Sequence, residues 1–370
     1  MTGRLTAVAA TSLAAAAIGL APVAGPAVAA ETPDTPVRAD ASTGPPAPVV
    51  DRVVADPRIT EASGLASSVR HAGVVWTHQD SGHDPQLFAV GTSGATVATV
   101  TLRGVEAVDW ESMAMTRDDA GRWMLAVGDI GDNAARRPEI RVLLVREPAE
   151  LRDARLPVQR VLRLRYPKGA ISDAETLVAD PRTRRLYVVT KGLLGGDVYA
   201  VPEQAWPGGT DAAAESRSWP LLHVARVDMS LVTDGTFLPD GRLVLRNYGS
   251  LTLYDDPATA DGALTPLSTM VLPAQPQGES VALGPGGTSL LVGSEGVRQP
   301  LMRVALPSPV VASVSTAPVA SQAPDDAGAT DPASAPESGG AGLPSFLLLV
   351  VGAGVVLLLL IFAAVVIALR

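Results

Sequence analysis

Two carboxylates bracket a tryptophan in "VDWESMAM", residues 108 to 115: Asp109 and Glu111 stand where an apolar run begins. The arrangement recurs as Asp173 and Glu175 in "DAETLV", as Glu61 with Ser63 in "EASGLA", as Asp234 in "VTDGTF" and as Glu279 in "QGESVA". Val232 and Gln277 replace the first acid in the last two copies. Side chains two apart on an extended strand project to one side, so each pair can address one ligand. A second apolar run follows in every copy and ends, shortly before a glycine, on Asp80, Asp129, Lys191, Arg246 or Glu295.

Such acids have two readings. In the first, Glu61, Asp109, Glu111, Asp129, Asp173, Glu175, Asp234, Glu279 and Glu295 supply oxygen ligands to a metal. With 4 histidines and no cysteine in the chain, calcium is favoured, magnesium comes second, and zinc or copper is disfavoured. "GDIGDN", with Asp129, Asp132 and Asn133, is the densest single loop of donors, although it lacks EF-hand spacing. In the second reading the acids accept backbone N–H groups of the neighbouring repeat and fix its packing. Two like charges about 6 Å apart repel by about 3 kcal/mol at an effective dielectric of about 20, so protons, arginines or a metal must compensate.

The catalytic candidates are His78, Asp80, Lys191 and Arg246. His78 is a turn histidine or a base beside Asp80. Lys191 and Arg246 are counter-ions or holders of a ligand's phosphate or carboxylate. The chain has no G-x-S-x-G elbow, P-loop or H-E-x-x-H motif, which disfavours ordinary serine hydrolases, P-loop enzymes and zincins, and no organic cofactor is indicated. Trp76, Trp110 and Trp123 lie within strand patterns and are expected in the core.

The elements that must position these residues repeat every 45 to 65 residues or so. Each unit has the acid-led strand, its hairpin partner ("GVVWTHQDSG", "WMLAVGDIG", "RLYVVTKG", "RLVLRNYG", "SLLVGSEG") and a third strand; four units add a fourth, "ATVATVTL", "VQRVLRLRY", "LLHVARV" and "LTPLSTMVL". The fifth lacks one, which "PVVDRVVAD" at the start of the domain can supply. The expected fold is an all-β propeller of five four-stranded blades closed by an N-terminal strand. Six blades is the alternative, because the stretches 147–159 and 203–218 are long enough to hide irregular elements.

"EASGLA", "DWESMAM", "GDIGDN", "DAETLV", "LYVVTK", "GESVAL" and "SEG" resemble an actinobacterial group of secreted, membrane-anchored propellers, labelled WD-repeat-like or phytase-esterase-like. The resemblance spans the whole folded region and implies fold and location more than a reaction.

The two ends imply export and anchoring. Residues 1–30 combine Arg4, an apolar run and an A-x-A end, as a signal peptide does. Residues 31–47 form a disordered leader, 48–308 the propeller, and 309–343 a Pro/Ala/Ser/Asp-rich linker. Residues 344–370 hold an uncharged apolar stretch, 346–369, whose helix would run about 36 Å against a hydrocarbon core of about 30 Å. Arg370 follows it, so a single-pass chain with the propeller on the extracytoplasmic side is expected. A net charge of -9 argues against nucleic acid as a partner.

Three functions fit these features. The preferred one is a membrane-tethered binding propeller that takes a small ligand or an envelope protein at its acidic channel face. The second is a metal-dependent hydrolase of a phosphoester or lactone, with Asp80, His78 or Glu111 handling a proton and Lys191 or Arg246 stabilising developing charge. The third is an envelope scaffold without a small-molecule site.

Overall fold

Runs such as "RLYVVT" are apolar and β-branched on both sides, and their residues Leu186–Thr190 are buried throughout, which requires cover on both faces of the sheet. Outer strands such as Leu222–Val227 and Pro266–Val271 alternate or stay exposed instead. A ring of radially packed sheets satisfies both patterns. The structure, a computed structural model, describes residues 46–205, 217–308, 310 and 311.

It contains five sheets, each built on four antiparallel strands, three of them extended by a short parallel fifth. Blade 1 comprises Ala62–Ser67, Val75–Gln79, Gln86–Val90 and Thr96–Arg103. Blade 2 comprises Trp110–Arg117, Trp123–Asp129, Ile140–Arg146 and Arg160–Arg165, and blade 3 Ala174–Ala179, Leu186–Thr190, Gly196–Ala200 and Leu222–Val227. Blade 4 comprises Asp234–Phe237, Leu243–Arg246, Ser250–Tyr254 and Pro266–Val271. Blade 5 has Ser280–Leu283, Ser289–Gly293 and Pro300–Ala305. Its outer strand is the N-terminal Val49–Val53, antiparallel to Pro300–Ala305 with Val50 opposite Met302.

The core is divided among the seams. Trp76, Leu87, Trp110 and Leu125 pack between blades 1 and 2, and Leu144, Leu164, Leu177 and Val188 between blades 2 and 3. Val189, Val198, Leu243 and Tyr254 fill the next seam, Leu238, Leu253, Leu290 and Val304 the fourth, and Val75, Phe88, Leu291 and Leu301 the closing one. Trp76 and Trp110 are fully buried, as their strand positions predict, but Trp123 is only half-buried, with the Arg117 guanidinium over its ring at 4.4 Å.

In neither of the two long stretches that leave a sixth blade open do the described residues form a further blade; residues 206–216 lie outside them. Ala154–Pro157, from the blade 2 stretch, is an interblade strap that runs parallel to the outer strand of blade 1. Ser218–Pro220 and Gly262–Ala263 do the same for blades 2 and 3. Glu147 fixes the first strap: its buried carboxylate accepts from Trp76 Nε1 at 3.1 Å and from Ser68 Oγ. All five sheets lie in one compact unit. The turn Asp118–Arg122 is grouped in another; there Asp118 Oδ1 accepts from the N–H groups of Ala120 and Arg122.

The signal, the linker beyond residue 311 and the apolar stretch 346–369 lie outside the described residues, whereas Val310 and Val311, assigned by sequence to the linker, pack on the seam of blades 4 and 5. Among the described residues no helix is long and apolar enough to cross a membrane. The described chain leaves the propeller at the end of the ring away from the acid-led strand starts, where Arg242, in the hairpin turn of blade 4, donates to the Val310 carbonyl.

Closure depends on Arg52, whose buried Nη1 donates to the carbonyls of Gly73 at 2.7 Å and Gly91 at 2.9 Å in blade 1. Asp51 meanwhile pairs with Arg52 and Arg303. Arg52→Ala should destabilise the propeller by about 2–3 kcal/mol, because buried carbonyls lose a charged donor. Removal of residues 48–56 should cost more, since it opens a sheet edge. Thermal melts of residues 46–311 and both variants check this; an unchanged melting temperature after removal would contradict closure.

Candidate functional site

In every blade the residue after the second strand, or the one before the inner strand, is tied to its partner across the hairpin. Asp80 N–H donates to Glu61 O at 3.0 Å, Ile130 N–H to Asp109 O at 3.1 Å and Lys191 N–H to Asp173 O at 3.0 Å. Thr233 N–H donates to Arg246 O at 2.9 Å and Glu295 N–H to Gln277 O at 2.8 Å. These bonds bring both sequence motifs to one mouth of the channel. The inner strands of blades 1, 2 and 3 carry a bulge there, at Gly64, Glu111 and Glu175. Simple two-residue alternation is therefore interrupted, and the extra residue re-aims Glu111 and Glu175.

Asp80, Asp109 and Glu111 form the tightest group, with one oxygen from each lying within 4.8 Å of the others. Gly131 makes room for it. A Cβ there would sit 2.5 Å from Glu111 Oε1 and 2.6 Å from Asp109 Cγ. Burial, then the charges of Asp80 and Asp173, pushes Asp109 up to about 7. Burial followed by Asp80, Glu175, Asp109 and Asp173 holds Glu111 well above the carboxylate range, with no donor among the leading causes. Burial and Glu61 raise Asp80 as well.

Across the mouth stands one ammonium. Lys191 pairs with Glu175, lies 3.0 Å from Tyr248 Oη and sits 5.4 Å from the centre of the Tyr248 ring. Burial would discharge it, but Glu175 and Tyr248 hold Lys191 charged well above its ordinary range. The same lysine lowers Asp173, Glu279 and Glu295, although burial leaves all three raised, Glu295 to about 8. Glu175 Oε2 is buried without a partner. Glu61 is half-exposed beside His83, 3.5 Å away.

Other sequence candidates lie elsewhere. Asp129 is fully buried between Arg137, at 2.7 Å, and Arg141, and accepts the Asp109 N–H. "GDIGDN" is thus a structural loop: Asp132 caps the N–H groups of Arg136 and Arg137, and its own N–H donates to Asp173 at 2.7 Å. Asp234, on an unbulged strand, is fully buried: it accepts from Ser112 Oγ and the Val281 N–H, both at 2.7 Å, and burial raises it to about 8. Arg246 turns into the seam between blades 4 and 5, donating to the carbonyls of Ser280 at 2.6 Å and Gly293 at 2.7 Å. It is a clasp and not an anion holder. His78 is sealed in, its ring edge against Trp110, and burial pulls it down to about 4, so it is neutral and out of reach of a ligand. Tyr248 completes the mouth without any repeat signal, whereas Gly131 is the glycine that follows this strand end in every copy.

No family model and no curated protein matches the sequence. Among solved structures the chain is similar to a luciferin-regenerating enzyme (13% identity, TM-score 0.37, covering 72% of this chain and 94% of that one). It is also similar to a gluconolactonase of Xanthomonas campestris (14%, 0.36, 70% and 88%) and to a chain of a nidogen/laminin complex (17%, 0.38, 64% and 73%). Likeness this low carries no chemistry across. What holds of the resemblance drawn from the motifs is the propeller itself.

The raised carboxylates set a pH dependence. Asp109 near 7, and Asp234 and Glu295 near 8, bind protons more tightly folded than unfolded. Their contribution is full below about pH 4, the unfolded value, and is lost as pH rises through about 7 to 8. Chelator-treated protein should therefore melt progressively lower from pH 5.5 to 8.5. A flat profile would mean that the fold meets these charges without protons.

Proposed function

We propose that the chain is a binding propeller, tethered outside the membrane by its C-terminal apolar stretch, whose acidic mouth holds a hard divalent cation and presents it to a ligand. The observation that carries this reading is the spacing of Asp80, Asp109 and Glu111, whose oxygens fall within 4.8 Å of one another. Oxygens each about 2.4 Å from a calcium ion stand at most about 4.8 Å apart, so the group has the span of one coordination sphere. An all-oxygen donor set favours calcium, then magnesium. Packing alone explains Asp129 and Asp234, which have donors and arginines, but leaves Asp109 and Glu111 crowded by like charge.

A hydrolase acting on a phosphoester or lactone is the second reading. It is favoured by Asp109, which near 7 can exchange a proton at neutral pH, opposite the Lys191–Tyr248 pair. Metal-dependent turnover of chromogenic phosphoesters or lactones would put this reading first.

Calcium that binds only the folded form should stabilise it by about 2.7 kcal/mol at a hundredfold excess over Kd. That is a rise of roughly 5–10 °C for a domain of this size. Glu111→Gln should weaken the calcium response at least tenfold while flattening the fall of the melting temperature with rising pH in chelator, because the carboxyl that must ionise among like charges is gone. If the acids only pack blades, the variant should melt lower in both conditions and wild type should ignore millimolar calcium. Gly131→Ala, which displaces the ends of two flexible side chains, should reduce calcium affinity about tenfold, or about 1.4 kcal/mol, with the fold intact by circular dichroism.

A further inference from the structure

The connections that carry the mouth carboxylates also carry apolar side chains that point to water. Leu193 is 76% and Leu194 89% exposed, directly after Lys191. Val108, Ile171, Tyr248 and Val297, each within two residues of Asp109, Asp173, Arg246 or Glu295, are between 37% and 48% exposed. Among the described loops of the opposite end, Val69 alone is a large exposed hydrophobic. The asymmetry is between the loops of the two ends; the other exposed hydrophobics, such as Val49, Val50 and Val271, lie along the outer strands.

The two leucines are held out by a constrained turn. Gly192 accepts the Leu231 N–H at 2.9 Å, and a Cβ on Gly192 would sit 2.1 Å from the Gly195 carbonyl. Gly195 has φ +111° and a Cβ there would meet the Val227 carbonyl at 2.3 Å. Only glycine fits these places, which fixes the backbone on either side of Leu193 and Leu194.

The enclosed charge is one-sided. A cation at Asp80, Asp109 and Glu111 leaves Glu61, Glu279 and Glu295 facing Lys191, itself bound to Glu175, with His83 beside Glu61 and with Arg246, spent on carbonyls, acting on Glu279. Glu175 Oε2 remains buried and unpartnered. The way Lys191 is held, by a carboxylate and the Tyr248 hydroxyl, shows how this mouth receives an organic cation.

We propose that this face docks a partner protein through a protruding segment in which an arginine or lysine is flanked by apolar side chains. The cation enters the acidic mouth, and the flanks rest on Leu193, Leu194 and Tyr248. An apolar surround that excludes water from a central charged anchor is the arrangement that concentrates binding energy at protein interfaces. The proposal rests on the reading of the mouth as a binding surface and not on the metal.

The test uses the full chain and a dye-labelled, end-blocked peptide of sequence Leu-Phe-Gly-Arg-Gly-Phe-Leu, read by fluorescence anisotropy. Controls replace its arginine by glutamate or its Leu and Phe residues by serine. The arginine peptide should bind at least tenfold tighter than either control, and Leu193→Ser with Leu194→Ser should weaken it at least tenfold. Terbium luminescence at the carboxylates should be unchanged in that double variant. Equal binding of the glutamate peptide, or no effect of the leucine changes, overturns the proposal. So does leucine-dependent sedimentation with vesicles of mixed zwitterionic and anionic phospholipid, which would make the occupant a membrane. Peptide binding without terbium binding would retire the metal reading and leave this one standing; terbium binding without peptide binding would do the reverse.

Discussion

Carboxylates gathered out of water repel one another, and the mouth of this propeller is organised by how that repulsion is met. Arginine meets it at Asp129, backbone and hydroxyl donors meet it at Asp234, and an ammonium meets it at Glu175. At Asp109 and Glu111 the surrounding protein supplies mostly more negative charge. A group that the fold leaves uncompensated at a water-facing mouth is where an external cation gains most. The site is thus defined less by which residues are acidic than by which acids the rest of the chain declines to neutralise.

That selectivity requires a stiff frame, and the chain has no cysteine from which to build one. Stiffness comes from the apolar seams and from polar clasps across them. Arg246 satisfies blade 5 carbonyls from blade 4, Ser112 reaches from blade 2 to Asp234, and Ser63 donates to the Glu111 carbonyl at 2.6 Å. The last bond fixes the bulge that aims Glu111. Packing and site are therefore not alternatives: the acids assigned to one role hold the others in place.

Much of this was legible in the sequence, for physical reasons. Strand periodicity and repeat spacing reveal burial on both faces, and the missing fourth strand of the last unit points to Val49–Val53. Convergence of the motifs at one mouth follows from hairpin geometry. Side-chain direction within the mouth does not, because it depends on bulges at Glu111 and Glu175 and on their absence at Asp234, and a bulge has no reliable sequence mark here. Arg246 and Asp129 look like site residues because they occupy the repeat position; what removes Arg246 is a glutamine and two carbonyls 29 to 47 residues on, and what removes Asp129 is a pair of arginines 8 and 12 residues on, whose direction the sequence does not mark. Six blades looked open only because straps that run parallel to a neighbouring blade have no meander pattern.

The closing strand also has a bearing on timing. Asp51 and Arg303 meet across 252 positions of sequence, while the pairs within each blade join close neighbours. Contacts so distant are slow to form, because the intervening chain must be ordered first. During synthesis blades 1 to 4 can assemble in order as they emerge, each strap reaching back to the blade before it. Blade 5 must wait for a segment made long before it, which meanwhile stays unpaired with its sticky edge exposed. Val49–Val53 is among the first of the described residues to be made and the last strand to find its place.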